Sequence, residues 1–154
     1  VFWDEANGGA MQVHSGTYVG WLGGYQSTDP ESHSASQAVV IPVGSPRFLN
    51  FWRYIDGIGD GSNVVTYSID GTVIRTEDLA VVGLDSEWTQ QSIDVSAYAD
   101  GGPHTIKFGY VYGGGATDAD YYIDDMTLDC SAPASTASRP HSPGVRHMSG
   151  LKQH

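Results

Sequence analysis

Between residues 16 and 128 the chain is a succession of short extended runs. They are separated by Gly, Asp, Asn and Pro, and no 3.6-residue apolar period is sustained. The runs are Gly16–Gly23, Ser36–Val43, Arg47–Ile55, Asn63–Ile69, Thr72–Arg75, Glu87–Val95, His104–Tyr112 and Ala119–Leu128. Asp70-Gly71 sits between two of them and signals a tight hairpin, because such a turn needs positive φ. Val95–Ala99 is expected to be a short turn and not a helix. Strands joined by short polar turns cannot make the long crossovers of a parallel sheet. An antiparallel sandwich follows. The 20 glycines and the low charged fraction of 16% agree with an all-β domain rich in turns.

A chain of 154 residues suits one domain with a real core. The character changes at Ser131. Residues 131–154 are rich in Ser, Ala, Pro and Thr, lack apolar periodicity and read as a flexible tail behind a domain spanning 1–130. His141, His147 and His154 lie in that tail at spacings that match no compact metal pattern. All 18 acidic residues fall in 1–130, against only Arg47, Arg53, Arg75 and Lys107. An acidic body repels phosphate backbones, so a nucleic-acid partner is not expected. No apolar run is long enough for membrane insertion, and the start at Val1 suggests a processed or excised segment. Cys130 stands alone and builds no disulfide framework.

Tyr121-Tyr122-Ile123-Asp124-Asp125-Met126-Thr127-Leu128 is the most telling segment for function, since two acids interrupt an apolar strand. Side chains alternate along a strand, so Asp124 and Asp125 are expected on opposite sides of the sheet. The carboxylate forced inward needs a cation or several hydrogen bonds. A bound calcium is the first hypothesis, and a hydrogen-bonded structural carboxylate is its competitor. The same parity argues against a catalytic carboxylate pair. Asp56 to Asn63 looks like a calcium loop but fails the helix–loop–helix pattern. The twelfth position from Asp56 is Tyr67, and from Asp60 it is Gly71.

Parity also sorts the aromatics. Along Phe48–Ile55, one face carries Leu49, Phe51 and Ile55, and the other carries Phe48, Asn50, Trp52 and Tyr54. With the first set in the core, Trp52 and Tyr54 stand on an outer sheet surface, and Arg53 is expected to seek solvent at a strand end. Aromatic faces beside polar groups bind sugar rings, and Trp21 can join such a platform with Asn50. The opposing reading makes these rings ordinary packing. Trp88 and Tyr98 read as structural. Ile106, Phe108, Tyr110 and Tyr112 form one core stripe. Neither a zinc-protease motif, a nucleophile elbow nor a phosphate-cradling glycine loop is present, so the protein is not expected to be an enzyme.

Several segments, taken in order, resemble a known kind of module. They are His14-Ser15-Gly16-Thr17-Tyr18, Trp21-Leu22-Gly23-Gly24, Val39-Val40-Ile41-Pro42, Leu49-Asn50-Phe51-Trp52 and Val65 to Gly71. Trp88, Ile93 to Ala99, His104 to Phe108 and Tyr122-Ile123-Asp124-Asp125 complete the series. Together they resemble the MAM-like and carbohydrate-binding-module-like β-sandwiches of secreted bacterial proteins. The resemblance implies an antiparallel jelly-roll β-sandwich of two sheets and a non-catalytic, secreted accessory role. The implied partners are a parent secreted protein and a polysaccharide or glycoprotein glycan. A structural or protein-adhesion domain without a sugar ligand is the alternative. The resemblance further implies a structural calcium held by Asp125 and Asp124, with backbone oxygens from His14, Ser15, Gly16 and Thr17. Its usual first-strand acid would lie upstream of Trp3, so the domain is expected to lack its first strand. The expected core comprises Leu22, Val39, Ile41, Leu49, Phe51, Val65, Tyr67, Ile69, Val95, Ile106, Phe108, Ile123 and Leu128.

Overall fold

Asp70 and Gly71 adopt φ values of 51° and 82°, and Ile69 faces Thr72 across this two-residue turn. Positive φ at both central positions matches the right-handed twist of the strands it joins. This hairpin is one piece of a computed structural model that describes residues 2–4, 13–23, 28–57, 62–115 and 119–133. Its strands are β1 (Phe2–Asp4), β2 (Tyr18–Leu22), β3 (Glu31–Val40), β4 (Phe48–Asp56), β5 (Asn63–Ile69) and β6 (Thr72–Asp78). One helical turn, α1 (Leu79–Val82), precedes β7 (Thr89–Asp94), and β8 (Pro103–Tyr112) and β9 (Asp120–Asp129) follow.

One sheet has the order β1-β2-β9-β4-β7 and the other β3-β8-β5-β6, and every pairing is antiparallel. Apart from the β1–β2 and β5–β6 pairs, successive strands change sheet. That alternation makes an antiparallel jelly-roll β-sandwich; the strand pattern pointed to the antiparallel sandwich, and the resemblance implied the jelly roll. Val95–Ala99 contains only a 3₁₀ turn, Ser96–Tyr98.

The core lies between the sheets. Leu22, Ile41, Leu49, Phe51, Val65, Tyr67, Ile69, Val95, Ile106, Phe108 and Ile123 are buried in it, while Val39 and Leu128 pack on its margin. Phe51, Tyr67 and Phe108 interlock with ring centroids 5.3–5.6 Å apart. Such offset and edge-on contacts add to the area they bury.

Three elements depart from the sequence pattern. Strand β3 begins at Glu31, ahead of Ser36, because it is a sheet edge whose outward positions are polar and show little apolar alternation. Strand β6 runs on to Asp78, whose side chain then caps α1 by accepting from Ala80 N at 3.0 Å. Short β1 pairs with β2 and has no counterpart among the expected runs. The tail from residue 134 with its three histidines, Glu5, residues 58–61 and Asp118 lie outside the described residues.

Candidate functional site: an aromatic row beside a carboxylate pair

Register decides which side chains meet on the outside of the five-stranded sheet. Trp21 lies opposite Tyr122, and Tyr122 lies opposite Tyr54 on its other side. One aromatic row therefore crosses β2, β9 and β4. Trp21 and Tyr122 stack at 6.4 Å between centroids, and Tyr122 and Tyr54 follow at 6.2 Å. The row continues through Trp88, 5.8 Å from Tyr54, and His14, 5.7 Å from Trp88. It ends where His14 stacks on Trp52 at 4.0 Å. Trp21, Trp52, Tyr54 and Trp88 are half-buried, and Tyr122 is buried. Trp52, Tyr54 and Trp21 thus occupy one face, as parity indicates. Trp88, read as structural from the sequence, belongs to the same row, and so does His14.

Polar groups border the rings. Trp21 Nε1 donates to Asp120 Oδ1 at 2.8 Å. Asp56 pairs directly with Asp120 across β4 and β9, one step beyond Tyr54 and Tyr122. Burial, then Asp120 and Asp56, push the Tyr122 hydroxyl pKa up. Burial and Asp56 act on Tyr54 in the same direction. Asn50, two positions before Trp52, is 4% exposed. Its Nδ2 donates to Asp129 Oδ2 at 3.0 Å and to the Ser131 carbonyl at 3.2 Å, whereas its buried Oδ1 has no protein partner. Asn50 is therefore largely committed to holding the end of β9, which places it at the margin of the row.

The carboxylate pair differs from expectation. Asp124 and Asp125 do not point to opposite sides; both meet the loop at residues 14–15. The β4–β9 register slips between Asn50 and Trp52, and Asp125 takes a φ of 48°. This bulge inserts one residue and breaks the period of two on which the parity argument depends. Asp124 Oδ2 accepts from His14 N at 2.8 Å and Ser15 N at 3.2 Å. Asp125 Oδ1 accepts from Ser15 Oγ at 2.5 Å, and its Oδ2 lies 2.6 Å from His14 Nδ1. Asp124 Oδ1 accepts from Asp125 N at 2.8 Å. Burial opposes ionisation of Asp125, yet the Ser15 hydroxyl and the His14 ring hold its carboxyl below the usual range.

That arrangement tests the calcium expected from the resemblance. Calcium takes six to eight oxygens, but the loop turns N–H and O–H donors toward these carboxylates. Hydrogen bonds to the pair come from His14 and Ser15, while Gly16 and Thr17 are exposed. Among the described residues, no three acidic, histidine or cysteine side chains gather as a metal group. The described residues do not fit a complete calcium shell.

Arg53 also departs from expectation. It does not reach solvent at a strand end but is 6% exposed on the inner side of β4. Its guanidinium meets Asp85 through Nε at 2.9 Å and Nη2 at 3.0 Å. Nη1 meets Glu77 at 3.3 Å. Glu77, itself 5% exposed, accepts from the Tyr67 hydroxyl at 2.8 Å and pairs with Arg75. Burial by itself would lower the Arg53 pKa, and Asp85 and Glu77 more than offset it. Asp85 N also donates to the Ile55 carbonyl at 3.2 Å. The loop that carries Trp88 toward the row is thereby tied to β4.

A cavity of about 270 Å³ lies between the sheets, lined by Tyr18, Gly20, Ala35, Phe108, Ile123 and Met126 among others. Asp124 and Asp125 line it as well, so it reaches the carboxylate pair. No protein-family model, curated protein or solved structure matches this chain. Among the described residues, no helix is long and apolar enough to cross a membrane.

Proposed function

We propose that this jelly-roll domain is a non-catalytic extracellular accessory module that binds carbohydrate on its outer aromatic row. The observation carrying this reading is the series Trp21, Tyr122, Tyr54, Trp88, His14 and Trp52, linked ring to ring across the sheet. Sugar rings pack their C–H faces on such surfaces, and bordering carboxylates accept from hydroxyls. The convergence of Asp124 and Asp125 removes the parity argument against a catalytic pair. The non-catalytic reading therefore rests on the missing catalytic motifs. Calcium enters only as a stabiliser to be tested by chelation, because the described shell is incomplete.

One observation favours the alternative, a structural or protein-adhesion domain of a secreted protein: His14 already covers a face of Trp52. A glycan and polysaccharide panel in calcium and in chelator separates the two readings. Retention that is lost in Trp52→Ala, with the β-sheet circular dichroism unchanged, is the expected result. Absence of retention by the folded wild-type chain would refute sugar binding and favour adhesion.

A further inference from the structure

Protein interiors are close-packed, so a gap of about 270 Å³ between two sheets calls for a cause. Two small residues supply it. Side chains alternate along β2, which turns Gly20 inward between Tyr18 and Leu22, and Ala35 of β3 packs on the margin of the core. Both line the cavity. Ile106, Phe108 and Ile123 form its buried wall, whereas Tyr18 and Met126, 60% and 43% exposed, stand where it meets solvent.

Its size and shape restrict what it can hold. An engineered apolar cavity of about 150 Å³ takes benzene, and this one is nearly twice as large. At about 30 Å³ per heavy atom, the share of water in the liquid, it accommodates about nine heavy atoms. Its β3 wall runs from Ala35 to Val39, roughly 13 Å along the strand, which suits an extended chain better than a compact ring. Ser36, Gln37, Asp124 and Asp125 supply its polar lining. A carboxylate brought to that lining meets like charge, whereas a hydroxyl can both donate and accept there.

We infer that the cavity is a binding site for an unbranched aliphatic chain of about eight carbons carrying an uncharged, hydroxyl-type head. The inference is independent of the carbohydrate reading, because the aromatic row lies on the outer surface of the sheet. Asp125 joins the two places: it lines the cavity and holds His14, whose ring stacks on Trp52.

An NMR titration of the full chain with straight-chain alcohols from butanol to dodecanol tests the inference. The methyl resonances of Ile106, Ile123 and Met126 report on the cavity wall. Affinity is expected to rise roughly fourfold per methylene and to level off near octanol, with octanoate binding at least tenfold more weakly than octanol. Ala35→Leu fills the cavity and is expected to weaken octanol roughly tenfold or more, its fold checked by circular dichroism. Val39→Ala enlarges the cavity and is expected to move the levelling-off to about ten carbons. Affinity that climbs steadily through dodecanol would overturn the inference, since it describes adsorption to a surface without a closed end. Octanoate binding as tightly as octanol would overturn it as well. So would a folded wild-type chain whose wall methyls do not respond, or a Val39→Ala variant with an unchanged chain-length limit.

Discussion

Replacing Arg53 with methionine removes the cation at the centre of the buried ionic cluster while keeping an unbranched side chain in its place. Two carboxylates then lose their shared partner. Asp85 loses both guanidinium contacts, at 2.9 and 3.0 Å, and keeps Thr89 Oγ1 at 3.1 Å. Glu77 keeps Arg75 and the Tyr67 hydroxyl. Breaking a buried pair from one side costs about 3–5 kcal/mol, chiefly because charge is left in a poorly solvated place. With a urea slope of roughly 2 kcal/mol/M for a domain of this size, the midpoint should fall by about 2 M. Equilibrium urea unfolding followed by tryptophan fluorescence reads this directly.

Two further variants isolate the cause. Arg53→Met with Asp85→Asn removes the stranded charge and should recover roughly 1–2 kcal/mol of the loss. Asp85→Asn alone should cost less than Arg53→Met and should loosen the Trp88 loop. A loss below about 1 kcal/mol for Arg53→Met would refute the reasoning, since it would mean the cluster is already screened by water. A double variant no more stable than the single would refute it too.

Two other outcomes follow from the geometry. His104 lies 2.7 Å from Asp70 and 3.0 Å from Asp100, and these bonds, Asp70 first, raise its pKa above the ordinary value. Its contribution to stability is complete below the unfolded value of about 6.5 and is lost as pH rises through the folded value. The melting temperature should therefore decline across that window in wild type but not in His104→Gln, and an NMR titration should place the midpoint above about 6.5. For calcium, the N–H donors facing Asp124 and Asp125 predict melting temperatures within about 1 °C in calcium and in chelator. An ion at 100 times its Kd would instead add about 2.7 kcal/mol and a plain upward shift, restoring the calcium expected from the resemblance.

Much of the sandwich was legible in the sequence because strand periodicity and turn chemistry are local. Asp70-Gly71 marks its hairpin by backbone preference alone. Leu49, Phe51 and Ile55 declare the inner face of β4 by spacing, which also puts Trp52 and Tyr54 outside. The aromatic row was legible only in part. Its Trp21–Tyr122–Tyr54 step depends on the registers of three strands far apart in the chain. Trp88 joins through a loop secured by Asp85, which no pattern in the sequence announces.

What only the tertiary structure decided are the places where one strand's rule yields to its neighbour. Counting by twos sends Asp124 and Asp125 to opposite faces, but a bulge against β4 brings both to His14 and Ser15. The same counting assigns Arg53 inward, where a lone cation would be too costly. It stays because β6 supplies Glu77 and the following loop supplies Asp85. Alternation along a strand follows from covalent geometry and can be read from the chain itself. Bulges and buried charge partners depend on which distant segments pair, and that is settled only when the two sheets close over a common core.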